Sequence, residues 1–117
     1  MAEMQAVVCH GPTDYRLEHV PRPQPGPNEL LIAIEACGIC ASDCECHSGA
    51  AMFWGGNGKP AWVKAPVIPG HEFIGRVVEA GAGALAHFGV VMNERVIAEQ
   101  IVPCRTSGRI ATRSSST

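Results

Sequence analysis

Glu29-Leu30-Leu31-Ile32-Ala33-Ile34-Glu35-Ala36-Cys37-Gly38-Ile39-Cys40-Ala41-Ser42-Asp43-Cys44-Glu45-Cys46-His47 is the stretch on which the reading of this chain turns. Glu29 to Ala36 is bulky and apolar. It predicts a strand in a central, well-buried position. Four cysteines follow between Cys37 and Cys46. Ser42 with Glu45 three residues later matches a capping box. It predicts a short helical turn from Asp43 to about His47, closed by Gly49. Cys40 then falls where strand meets helix, a junction that can aim a side chain into a cleft.

A second stretch, Pro69-Gly70-His71-Glu72, adds an imidazole and a carboxylate. Thiolate, imidazole and carboxylate are the ligands zinc prefers. A catalytic zinc takes three of them and keeps one position open. The separation of Cys40 from His71 says nothing by itself. A strand-end cysteine is most often a small buried hydrophobe, and a lone histidine a packed group. The metal reading gains weight from Gly70, which permits close backbone approach, and from Glu72 beside His71. Neighbours on a regular strand point to opposite faces. His71 and Glu72 can serve one ion only if the backbone there is turn-like, which Pro69-Gly70 favours.

Outward from these stretches the chain is strand-rich. Met4 to Cys9 and Tyr15 to Val20 predict strands joined by a Gly11-Pro12-Thr13-Asp14 turn. Pro21, Pro23, Pro25 and Pro27 mark an extended connector, since proline cannot donate to a ladder. Ala50 to Pro66 predicts a long irregular loop, in which Trp54 and Trp62 either line an apolar pocket or pin the loop to the body. Phe73 to Ala80 and Glu94 to Val102 predict two further strands, with a tight loop at Gly81 to Ala84. Arg105 to Thr117 is rich in Ser, Thr and Arg with a single Ile, and predicts a disordered tail. The expected fold is mainly β, with short helical turns and one ordered domain over residues 1–104.

Composition narrows the function. With 117 residues, 46% hydrophobic and 17% charged, the chain is a globular domain. A formal net charge of −2, with Lys and Arg clustered only weakly in the last residues, argues against a nucleic-acid-binding surface. No apolar run suits a membrane helix, and the N-terminus has no secretory pattern. Six cysteines in such a chain read as metal-binding or reactive thiols in a reducing cytoplasm.

Cys37-Gly38-Ile39-Cys40-x-Ser42-Asp43, followed by Pro66-x-x-Pro69-Gly70-His71-Glu72-x-x-Gly75-x-Val77 and then Arg95-Val96, resembles the N-terminal catalytic domain of the medium-chain zinc alcohol and polyol dehydrogenases. The resemblance runs from about Met4 to Cys104, and Ala61 to Arg76 looks most like the erythritol-, threitol- or sorbitol-type branch. It implies a GroES-like, partly open β-barrel. Cys40 and His71 match the zinc ligands, and Glu72 matches the carboxylate that ligates zinc or lies just behind it. Ser42 matches the hydroxyl that accepts the alcohol proton. The substrate implied is a small-molecule alcohol or polyol. Zinc lowers its pKa, and a hydride leaves the carbinol carbon for NAD(P), which only a full-length relative would bind.

Three departures stand out. Glu45 occupies the place of a relay histidine, where it either substitutes for that histidine or only caps its helix. Cys104 stands without the closely spaced cysteines of a structural zinc. No nucleotide-binding domain follows. Gly81-x-Gly83-x-x-Ala86 fits a dinucleotide fingerprint by letter. The strand at Glu94 follows too soon for a βαβ unit, so a glycine turn is expected. The exposed surface where a second domain would dock predicts self-association. Two rival readings are a closed zinc module built from Cys37, Cys40, Cys44, Cys46 and His47 without enzymatic activity, and a β-barrel interaction domain without metal. The abrupt change after Cys104 predicts a truncated dehydrogenase. The encoding DNA should then carry, in another frame past that codon, a cysteine run and a dinucleotide-binding domain; their absence refutes the truncation.

Overall fold

The computed structural model describes residues 2–99. Among the described residues, five strands and three short helices follow one another. The expected tail from Arg105 to Thr117 and the end of the last expected strand, Gln100 to Val102, lie outside the described residues. Among the described residues no helix is long and apolar enough to cross a membrane. The chain divides into two compact units, Met1–Arg22 with Ile39–Gly70 and Pro23–Gly38 with His71–Thr117.

In the first unit, β1 (Glu3–Gly11) and β2 (Asp14–Pro21) form an antiparallel hairpin. Pro12 and Thr13 make its turn. Thr13 adopts φ 61°, a left-handed conformation that a β-branched residue takes only where the turn demands it. Two helices follow, α1 (Ala41–Ser48) and α2 (Ala51–Trp54). The Thr13 N–H donates to the His47 carbonyl at 2.9 Å, tying the end of α1 to the hairpin turn. Gly49 closes α1 with φ 88°, and a Cβ there would come within 3.2 Å of Pro12.

The expected irregular loop is more ordered than the sequence suggests. It contains α2, and the Trp62 and Val63 N–H groups both donate to the Phe53 carbonyl at 2.8 Å. Cys9 and Val67 exchange backbone bonds at 2.8 and 3.1 Å, fastening the segment to β1. Trp54 is a pin, its indole N–H donating to the Cys46 carbonyl at 2.7 Å. Trp62 is 75% exposed and tilted against buried Phe53.

In the second unit, β3 (Leu30–Gly38), β4 (Glu72–Ala80) and β5 (Arg95–Ile97) form an antiparallel sheet in the order β3-β4-β5. The central strand is therefore β4, which corrects the expectation for Glu29 to Ala36. Among the described residues β3 is an edge strand, and it is exposed from Ala33 to Gly38, with Ile34 at 54%. Its apolar run is real, but an apolar run does not say which strand will have neighbours on both sides. The core is the cluster of Val77, Val90 and Val96, with Leu30, Ile32, Leu85 and Phe88 against it.

Two bulges interrupt the β3–β4 ladder. The first leaves Val78 of β4 without a partner, and the second leaves Glu35 of β3. Glu35 turns this to use. Its carboxylate accepts from Arg76 and from Arg95, each at 2.9 Å. Those arginines stand directly opposite each other, an arrangement that repels without a shared counter-charge. The Arg95 bond holds the Glu35 carboxyl below the usual carboxylate range.

Gly81 and Gly83 open α3 (Ala84–Phe88), so the glycine loop does start a short helix. It joins β4 to β5, which pair antiparallel, and so forms no βαβ unit.

Gly75 sits where β3 crosses closest. A Cβ there would run into the Ala33 carbonyl oxygen and lie 2.6 Å from Ile32 Cγ2. Gly75→Ala should destabilise the chain by about 1–3 kcal/mol, the usual cost of overpacking. A thermal melt should show the midpoint falling by several degrees, and an unchanged midpoint would refute the close packing.

Candidate metal centre

In the first unit, Cys40 is the N-cap of α1, with φ −90° and ψ 160°. It is the residue at which extended backbone becomes helical. The Cys40 N–H donates to Asp43 Oδ2 at 2.9 Å, and the Asp43 N–H donates back to the Cys40 carbonyl at 3.0 Å. The Cys40 thiol faces that same N–H, completing a reciprocal cap.

This corrects the capping box expected at Ser42 and Glu45. An N-cap must have non-helical backbone, and Ser42 is already the second helical residue. Cysteine is outside the usual N-cap set, so Ser-x-x-Glu outweighed Cys-x-x-Asp and moved the helix start two residues late. Ser42 is half-buried in the first turn of α1. Glu45 lies exposed in the same helix.

In the second unit, Glu72 opens β4 and His71 precedes it. Gly70 takes φ 128°, a conformation that favours glycine, and His71 falls outside the strand. The alternation that would send neighbouring side chains to opposite faces therefore does not apply to this pair. His71 Nε2 lies 3.9 Å from Glu72 Oε1, with both side chains 35% exposed. The backbone is turn-like here, as Pro69-Gly70 suggested.

Gly38, the last residue of β3, pairs with Glu72 across the ladder. The Glu72 carboxylate lies over it, and a Cβ at Gly38 would sit 2.9 Å from Oε2. Gly38 and Glu72 border an open cleft of about 430 Å³, whose other lining residues are Ala36, Phe73, Ile74, Ile97 and Ala98. Glu72 is the one charged group in that lining. Sequence reasoning placed Gly38 and Asp43 in the family motif, and Asp43 at the start of the helical turn, but gave neither a part in the site. Asp43 was legible as a carboxylate three residues after Cys40. Gly38 becomes visible only once the ladder register is known.

The donor set suits zinc. Cys40, His71 and Glu72 are each half-buried, and each offers one ligand atom of a type zinc accepts. The residues of the rival closed module are placed differently. Cys37 and Cys44 are exposed. The His47 ring packs edge-on against Tyr15 at 4.9 Å. Burial raises the Tyr15 phenol well above its ordinary range, and the Cys9 and Cys46 thiols add to the shift. Among the described residues, no ligand-sized group of three or more His, Cys, Asp or Glu side chains includes Cys37, Cys44, Cys46 or His47.

Residues 26–116 match the alcohol dehydrogenase GroES-like domain, and the chain belongs to that family. It is the N-terminal GroES-like domain type of the medium-chain zinc alcohol and polyol dehydrogenases. Over 102 residues it is 60% identical to the erythritol/L-threitol dehydrogenase of Mycolicibacterium smegmatis, covering 87% of this chain and 28% of that protein. Over 81 residues it is 43% identical to the sorbitol dehydrogenase of Ovis aries, covering 69% and 21%.

Among solved structures it is similar to the 2R,3R-butanediol dehydrogenase of Bacillus subtilis. The TM-score is 0.66 and the identity 36%, covering 81% of this chain and 27% of that one. It is also similar to a protein of Sinorhizobium meliloti 1021 described as a zinc-binding dehydrogenase bound to NADP. There the TM-score is 0.64 and the identity 30%, covering 99% and 33%. The chain spans about a quarter of the length of the curated relatives it matches.

Asp43→Ala removes the acceptor from the Cys40 N–H. The loss should cost about 0.5–2 kcal/mol, the range for a helix cap. A urea midpoint that does not move would show that this cap contributes nothing.

Proposed function

We propose that the chain carries the zinc ligands and the proton-accepting hydroxyl of a polyol dehydrogenase, which oxidises a secondary alcohol with NAD(P) as hydride acceptor. The reading rests on the register at the end of β3 and β4. Gly38 stands opposite Glu72. Cys40 is two residues beyond Gly38, a reach of no more than about 7 Å. His71 directly precedes Glu72. Covalent connection alone therefore keeps a thiol and an imidazole near one ladder end, beside a carboxylate.

The Cys40 thiolate, the His71 imidazole and the Glu72 carboxylate would hold the metal, the carboxylate as a ligand or hydrogen-bonded behind one. Zinc bound there supplies Lewis-acid stabilisation of the negative charge that develops on the alcohol oxygen. Ser42 takes the hydroxyl proton from its place in the first turn of α1. Phe73, Ile74 and Ile97 give the cleft beside Glu72 an apolar lining. Similarity to an erythritol/L-threitol dehydrogenase supports a small polyol as substrate. The NADP bound to the Sinorhizobium neighbour supports a nicotinamide as acceptor.

Metal analysis tests this directly. The chain purified without chelator should hold one zinc. Cys40→Ser and His71→Ala should lose it, with unchanged far-UV circular dichroism, whereas the Cys44→Ser, Cys46→Ser double variant should keep it. The opposite pattern would assign the metal to a closed cysteine module instead.

A further inference from the structure

We infer that Gly38 is a positioning residue for the Glu72 carboxylate, and that it acts by having no side chain. The inference rests on the zinc reading and goes beyond it, since none of the ligands is Gly38.

Gly38 ends β3 in a conformation that does not require glycine, because it is absent from the positive-φ residues. Glycine in a strand weakens it through lost packing and greater chain entropy. Its use here therefore calls for a spatial reason. The ladder pairs Gly38 with Glu72, and the atoms nearest a Cβ at Gly38 all belong to Glu72: Oε2 at 2.9 Å, Cβ at 3.3 Å and the carbonyl oxygen at 3.6 Å. The carboxylate fills the volume that any other residue's side chain would claim. Its second oxygen, Oε1, is the one that lies 3.9 Å from His71 Nε2. One carboxylate thus spans from the bare backbone of Gly38 to the imidazole of His71.

A methyl group at position 38 would press hardest on the flexible end of Glu72, at 2.9 Å from Oε2, while the Glu72 Cβ at 3.3 Å need give by only a few tenths of an ångström. Glu72 would swing away at little cost to the fold, and the carboxylate would leave His71. Groups that orient metal ligands typically change metal affinity by about 10–100-fold when altered.

The experiment compares the unsubstituted chain with Gly38→Ala, Glu72→Ala and the double variant. Zinc affinity is read by chelator competition, and ligand geometry by the visible spectrum of the cobalt(II) form. Gly38→Ala should bind zinc about tenfold or more weakly and shift the cobalt spectrum, with no fall in melting temperature. In the Glu72→Ala background the same substitution should change nothing further, because its effect passes through the carboxylate. An equal loss in both backgrounds overturns the inference, and so does a loss of affinity that tracks a loss of melting temperature. If the unsubstituted chain binds neither metal, the zinc reading fails on its own account. A crystal structure of metal-free Gly38→Ala then decides the positioning role: Glu72 displaced sustains it, and Glu72 unmoved ends it.

Discussion

The antiparallel pairing of β3 with β4 is the constraint from which the rest of the second unit follows. It seats Val77 in the core, brings β5 and its Val96 alongside, and sets which residue of β3 faces Glu72. A one-residue slip in a ladder sends every side chain to the other face. This ladder slips twice, and the slips cancel. The extra residue is Val78 on β4 at the first bulge and Glu35 on β3 at the second. Beyond both bulges the two strands are again in their starting register, and Gly38 meets Glu72. The bulge residue Glu35 is re-aimed in the process, as bulges commonly do, toward two arginines that need a shared counter-charge.

Much of the strand framework was legible. The run from Met4 to Cys9 and the run from Phe73 to Ala80 each appear as strands, the first three residues longer than its pattern and the second one residue longer. What periodicity could not supply was strand order. Leu30 to Gly38 is as apolar as a central strand, yet it is an edge, because position in a sheet depends on what pairs with it. The two shortest helices were invisible for another reason. α2 and α3 span four and five residues, too few to show a 3.6-residue repeat. Gly83 at φ 76° begins α3 much as a dinucleotide fingerprint begins its helix. The antiparallel return of β5, not the letters, separates the two cases.

The candidate ligands were easier to find than what orients them. Pro69-Gly70-His71-Glu72 announces a bend and two donors in four letters, and the bend is there in Gly70. Cys40 was placed correctly at the junction of strand and helix. Its partner in the cap was misread, because residue preferences rank Ser and Asp above Cys and take no account of which residue must be extended. Gly38 was read as a letter of the motif, and its spatial role was beyond sequence reasoning. An empty volume has no letter of its own, and it acquires meaning only when a carboxylate from a segment more than thirty residues away occupies it.

The backbone bond from Thr13 to His47 has a developmental reading. A chain emerging from the ribosome completes the hairpin turn before the residues of α1 exist. The mooring for the helix that begins at Cys40 is thus already in place when that helix can first coil. A version of the chain begun after that turn would leave the His47 carbonyl to water, and the end of α1 would keep only the ties its own segment supplies, from Gly49, Ala50 and the Trp54 indole.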